Sequence, residues 1–371
     1  MEKEQVLLLS RVDPEASVLE RAQSLIGPRF NWGSFTEFSI AQGTSAIIYK
    51  NLLKLKNIPH NIIDKFRNIY HGTLRENILK VSELDRLIDM LNREDIEVIS
   101  LKGATASENI FGDLGVYPSS DIDILVKVED IDRVRGILEA DGYILNDAGF
   151  DEYREYFMKE QYHINLSNGR FTIEPHWNLF MMYFTAPPGF WWEESVIVSS
   201  GGKTYRFLSP EKNILYTSFR LFSIRFVQLR FLVIVAEIIK HYRDRIDWNK
   251  LFMYARRYKF ENVLRVTMKL CNELLGMPVM PEYIRLRRLR TKVLYRMAYN
   301  MALRGEDVYV FNNALFALLR DDLKGAIGVI WHRLFPPMGE IVSRYKLPSK
   351  SGKAIIYYIL NPVMLLLRKR R

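Results

Sequence analysis

The sequence predicts an α+β protein: a small mixed sheet between an N-terminal and a C-terminal helical region. Three observations carry this. Helical periodicity dominates from Ser17 to about Asn92, short β-branched runs and Gly/Pro-rich turns replace it after Asp95, and long amphipathic stretches return from Ser209. The expected units are residues 1–92, 93–208 and 209–371 of a 371-residue chain.

In the first unit, ENILKVSELDRLIDMLNRE sets Ile78, Val81, Leu84, Leu87, Ile88 and Leu91 at helical spacing. Pro28 and Pro59 punctuate the region. In the middle unit IEVISL reads as a short strand that ends at Lys102-Gly103. The helix ATASENIF, the loop GDLGVYPSS and the strand DIDILVKV follow. EDIDRVRGILEADGY reads as a helix with acids in its first turn and Gly142 at its end. EYFMKEQYHINLS and RFTIEPHW read as two strands joined by an Asn168-Gly169 hairpin turn. In the last unit Ser209 and Pro210 open a helix as N-cap and first residue. RFLVIVAEIIKHYRDR, IDWNKLFMYARRY and ENVLRVTMKLCNELLG continue the pattern, with Gly276 and Pro278 ending it. A basic helical stretch, YIRLRRLRTKVLYRMAYNMALR, lies beyond Pro281.

Composition excludes several function classes. The single cysteine, Cys271, sits in an apolar stretch, so a disulfide framework and a cysteine metal cluster are both out of reach. A reducing cytoplasm is the expected compartment. No run reaches the length of a spanning helix. The nearest, AIIYYILNPVMLLL, holds Asn361 and Pro362 and reads as a packed terminal helix; the RKRR after it would suit peripheral contact with anionic lipid. The net charge of +10 attracts polyanions without choosing among them. SKSGKA is no phosphate loop, because Leu347 and Ala354 stand where that loop needs glycine and a hydroxyl.

The chemistry concentrates in SSDIDILV. Residues i and i+2 of a strand share a face, so Asp121 and Asp123 point together while Ile122, Ile124 and Val126 turn to a core. Two like charges so close call for a cation between them. Paired carboxylates suit Mg²⁺, a hard ion that takes oxygen ligands and leaves positions for phosphates. A second ion would need a third acid, for which Glu174 of FTIEPHW is the candidate.

The series LKG, short helix, SSDIDILV, a helix ending in Gly-Tyr, and a later acid followed by His-Trp resembles the nucleotidyltransferase superfamily of DNA polymerase beta. It is most similar to an uncharacterised bacterial nucleotidyltransferase family, with likeness from about residue 20 to about residue 280, including Ile246-Asp247-Trp248. The resemblance implies that Asp121 and Asp123 bind two Mg²⁺ ions, or Mn²⁺, carrying a nucleoside triphosphate such as ATP. Glu174 would share the second ion and help deprotonate the acceptor. Lys102, Gly103 and Ser120 would line the phosphate side. It further implies transfer of a nucleoside monophosphate to a small molecule, sugar or peptide, with release of pyrophosphate. Two positions depart from the family pattern. Tyr117 precedes Pro118 where an arginine is usual, and Lys102-Gly103 replaces the superfamily's Gly-Ser turn. These departures motivate an alternative, a non-catalytic nucleotide- or partner-binding protein on the same scaffold. The basic run Arg285–Arg296 motivates a third reading, less favoured, with nucleic acid as acceptor.

Overall fold

The computed structural model describes residues 1–147, 149–180, 184–200, 202–304, 320–345, 347 and 352–367. Three clusters of buried side chains organise these residues. The largest is helical, the second encloses the sheet, and a small third gathers Ile341, Val342 and Ala354.

The N-terminal helices are α1 (Glu2–Leu9), α2 (Ala16–Leu25), α3 (Trp32–Ala41), α4 (Ser45–Leu52) and the long α5 (His60–Asn92). Helix α1 comes from a segment whose charge hid its periodicity, yet Val6 and Leu9 are fully buried. Leu84, Leu87 and Leu91 of α5 enter the sheet core as their spacing predicts, whereas Ile78 stays exposed.

The central sheet runs β1 (Ile99–Ser100), β2 (Ile122–Leu125), β5 (Thr172–His176), β4 (Leu166–Ser167) and β3 (Ile144–Leu145) in spatial order. Only β2 and β5 pair in parallel; the other neighbours are antiparallel. Helix α6 (Ala104–Phe111) links β1 to β2, and α7 (Ile131–Ala140) packs Ile131, Val134 and Leu138 beneath the sheet. The Asn168-Gly169 turn forms as expected. Gly169 has φ +85°, and Asn168 Oδ1 accepts from the amides of Arg170 and Phe171.

One strand expectation is corrected. The first half of EYFMKEQYHINLS is helical, with α8 at Arg154–Glu160, and only Leu166–Ser167 join the sheet. Phe157 of α8 is buried against Phe150 of the preceding turn, the two rings meeting edge to face at 5.4 Å. That contact anchors the helix against the strand propensity of the aromatics. A further antiparallel hairpin, β6 (Val196–Ser200) with β7 (Lys203–Phe207), follows the short α9 (Pro188–Trp192). It packs Tyr205 and Phe207 on the sheet core.

The C-terminal helices match their expected starts and stops. In α10 (Pro210–Ser223), Ser209 Oγ accepts from the Lys212 amide; in α12 (Trp248–Arg257), Asp247 caps through the Lys250 amide. Helix α11 (Leu229–Tyr242) is buried on most sides, and α13 (Glu261–Leu275) ends at Gly276 in the left-handed conformation. The basic stretch is not one helix. Arg285–Arg288 separate α14 (Pro281–Ile284) from α15 (Leu289–Arg304). Beyond it lie α16 (Leu323–Leu334), α17 (Met338–Tyr345) and α18 (Lys353–Leu367). Asn361 is buried and holds the Arg344 guanidinium, which accommodates a polar residue in an apolar helix. Ile355, Ile356, Ile359 and Leu360 of α18 are exposed, so that helix is packed on one face only. The RKRR segment and Ser349–Ser351 of SKSGKA lie outside the described residues.

Candidate active site

The site grows from the parallel pairing of β2 and β5, in which Asp123 lies directly opposite Glu174. Asp121 is the residue before β2, so its side chain shares a face with that of Asp123. Carboxylate oxygens of Asp121, Asp123 and Glu174 gather within 4.8 Å of one another. The alternating residues behave as the pattern requires: Ile122, Ile124 and Val126 are buried in the sheet core.

The cation expected between the two aspartates is Lys102. Its ammonium donates to Asp123 Oδ2 at 2.6 Å and lies 3.5 Å from Asp121 Oδ1. This refines the expected role, since Lys102 neutralises the acids directly. Burial pushes the Lys102 ammonium down, but Asp123, Tyr216 and Asp121 outweigh it, and the net direction is up, so it stays charged. Burial likewise pushes Asp123 up, while Lys102 and the His176 hydrogen bond hold it below the usual carboxylate range. An ionised carboxylate only accepts, so His176 Nε2–H donates to Asp123 Oδ1, at 3.0 Å.

Gly103 makes the turn into α6 with φ +103°, a conformation that disfavours a side chain. A Cβ there would come within 2.8 Å of Ser119 Oγ, which itself donates to the Asp121 carbonyl at 2.7 Å. Gly103 therefore lets the turn close against the loop that carries Asp121. Ser120 is exposed beside that loop and half-buried Asp121.

Several residues at the site escaped sequence reasoning. His163, next to β4, pairs by a bridge with His176, and their rings stack at 4.9 Å. His163 Nε2 lies 3.8 Å and His176 Nε2 3.6 Å from Glu174 Oε2. Burial, with some help from His176, pushes His163 down to about 4, so it is neutral near pH 7. Helix α10 brings Arg220, whose Nη1 donates to Tyr162 OH at 2.8 Å. Its charge is felt by Tyr216 and Tyr162 and then by Asp123 and Glu174. Arg220 Nε is buried without a hydrogen-bond partner among the described residues. Helix α11 brings Arg230, whose Nη1 approaches the Pro118 carbonyl at 3.5 Å. Tyr117, where the family pattern has arginine, is buried and stacks on Phe111 at 5.9 Å. The fold thus returns one guanidinium, that of Arg230, to this loop and another, that of Arg220, to Tyr162 beside the histidines. Only the positive charge of those helices hinted at it.

An all-oxygen trio suits a hard divalent cation, and Lys102 shows that the position draws positive charge. The residues present therefore fit Mg²⁺. The fold that carries this trio is a small mixed sheet between helical regions, a protein of mixed α and β structure with a carboxylate cluster that could hold a metal ion. The chain belongs to the family described as uncharacterised nucleotidyltransferase, whose model matches residues 28–276. No curated protein and no solved structure matches the chain. No helix among the described residues is long and apolar enough to cross a membrane.

Proposed function

We propose that this protein is a Mg²⁺-dependent enzyme that moves a nucleoside monophosphate from a nucleoside triphosphate to a small-molecule, sugar or peptide acceptor and releases pyrophosphate. The observation that carries the reading is the convergence of Asp121, Asp123 and Glu174 within 4.8 Å in a chain of this family.

Asp121 and Asp123 would hold Mg²⁺, which when bound supplies positive charge to the triphosphate and its leaving group. Asp123 is held in place by Lys102 and His176. Lys102 would swing from the acids to the phosphates as the cation takes its place. Gly103 gives the phosphates close access to backbone, and Ser120 and Asp121 mark the open side of the site. The cavity lined by Lys80, Ser100, Lys102, Thr105, Asp121 and Asp123 is 10 Å³, room for no more than a water. Arg220 and Arg230 would take the phosphate-binding part that Tyr117 cannot. An acceptor oxygen or nitrogen attacks the α-phosphorus, the bond to pyrophosphate breaks, and the acceptor's proton passes to Glu174.

The Lys102–Asp123 contact also favours a second reading, a nucleotide- or partner-binding protein whose acids are permanently neutralised. Thermal unfolding with ATP, GTP, CTP and UTP, with and without Mg²⁺, separates the two, beside the Asp121→Asn/Asp123→Asn variant. A Mg²⁺-dependent rise with a nucleotide that vanishes in the variant supports the enzyme. Binding that survives loss of both aspartates supports the second reading.

A further inference from the structure

Beside the carboxylate trio lies a second cluster of different chemistry. His163, Glu174 and His176 bring one ligand atom each within 4.8 Å of the others. The individual separations are informative. Glu174 Oε2 is 3.6 Å from His176 Nε2 and 3.8 Å from His163 Nε2. Both are too long for a hydrogen bond. Both are close to the roughly 3.4 Å expected between two ligands held about 2.1 Å from one tetrahedral ion. Glu174 thus stands from each imidazole nitrogen at a distance that an ion between them would explain.

Their positions are fixed. His176 is fully buried on β5, and Glu174 is two residues before it on the same strand. The bridge between His163 and His176 joins the third ligand to the sheet, and Tyr162 flanks both rings. Neutral imidazole is the form that binds metal, and two imidazoles with one carboxylate select a transition ion over Mg²⁺.

We propose that His163, Glu174 and His176 bind a divalent transition ion, of the Mn²⁺, Co²⁺ or Zn²⁺ class, through two imidazole nitrogens and one carboxylate oxygen. Glu174 then belongs to both clusters and would bridge this ion to a cation on Asp121 and Asp123. Loading requires one proton to shift. His176 carries its hydrogen on Nε2 and donates to Asp123. As Nε2 turns to the ion, that hydrogen moves to Nδ1 of the same ring, and Asp123 keeps Lys102 until a cation binds the aspartates. The assignment rests on the geometry of these three residues and does not require nucleotidyl transfer.

The test is pulsed electron paramagnetic resonance on the full chain, stripped with chelator and reloaded with Mn²⁺ at one equivalent. A ¹⁴N coupling from directly bound imidazole is expected. His163 is only partly buried, so His163→Ala should fold. It should reduce the ¹⁴N signal and weaken Mn²⁺ binding at least about tenfold by calorimetry. Asp121→Asn should leave the ¹⁴N signal in place, which separates this site from the carboxylate pair. Mn²⁺ bound with no ¹⁴N coupling, or a coupling that His163→Ala leaves unchanged with full affinity, would overturn the proposal. Loss of nucleotide binding in the Asp121→Asn variant with the ¹⁴N signal retained would speak to the transfer reaction alone.

Discussion

Replacing Lys102 by methionine tests whether the acidic site is a cation site. The ammonium lies 2.6 Å from Asp123 Oδ2, the Asp123 side chain is fully buried, and that of Lys102 is 10% exposed. Methionine keeps most of the stem and removes the charge. Three carboxylates then share the pocket, and Asp123 keeps only the His176 hydrogen bond and the more distant charge of Arg220. Removing one partner of a buried ion pair costs about 3–5 kcal/mol, chiefly because the other charge is left uncompensated. For a chain of this size each kcal/mol moves the midpoint by roughly 2 °C, so a fall of about 6–10 °C is expected in chelator. In millimolar Mg²⁺ most of that loss should return, since a dication restores the missing charge, and Mg²⁺ should bind the variant more tightly than the parent. Differential scanning calorimetry with and without Mg²⁺ reads both effects. A variant whose midpoint falls equally in chelator and in Mg²⁺ would refute the reasoning, because the pocket would then need the lysine stem and not a cation.

Four further outcomes are expected. Gly103→Ala should destabilise by roughly 1–3 kcal/mol in urea unfolding, from its φ of +103° and the 2.8 Å approach to Ser119 Oγ. In a Ser119→Ala background the added cost should shrink, though not vanish. Burial pushes the Glu237 carboxyl up to about 7, against 4.5 unfolded. The folded state therefore holds the proton longer, and stability should fall by up to about 3 kcal/mol as pH rises from 4.5 to 7. Glu237→Gln should flatten that slope in denaturant titrations across the window. Cys271 is buried and its thiol is pushed up by burial, so a thiol reagent should label it only after unfolding. The exposed apolar face of α18 with RKRR after it in sequence should hold the protein on anionic vesicles in low salt, and sedimentation should show release as salt rises.

What was legible in the sequence was local. The i, i+2 spacing of Asp121 and Asp123, the glycine at the β1–α6 turn and the Asn168-Gly169 hairpin each follow from a few neighbouring residues, and each appears where expected. Glu174 was legible through its His-Trp context, and the parallel register sets it opposite Asp123. Long-range partners were not legible. Arg220 meets Tyr162 and Arg230 meets Pro118 because α10 and α11 pack as they do, and nothing near either residue announces a partner so far back in the chain. His163 was hidden in a segment read as strand, whose first part is the helix α8 ending at Glu160. The family resemblance places Lys102 on the phosphate side, whereas its contacts are set by strand pairing.

The register of β2 on β5 also orders events during synthesis. Asp121 and Asp123 leave the ribosome fifty residues before Glu174, and Arg220 emerges later still. A nascent chain ending before Glu174 has two mutually repelling acids and a lysine but lacks the third carboxylate. The trio forms only once β5 has slid alongside β2, past the hairpin made by β4. Tight capture of a divalent ion by ribosome-bound chains of increasing length would then act as a clock for closure of the sheet, silent until the segment through His176 has cleared the exit tunnel.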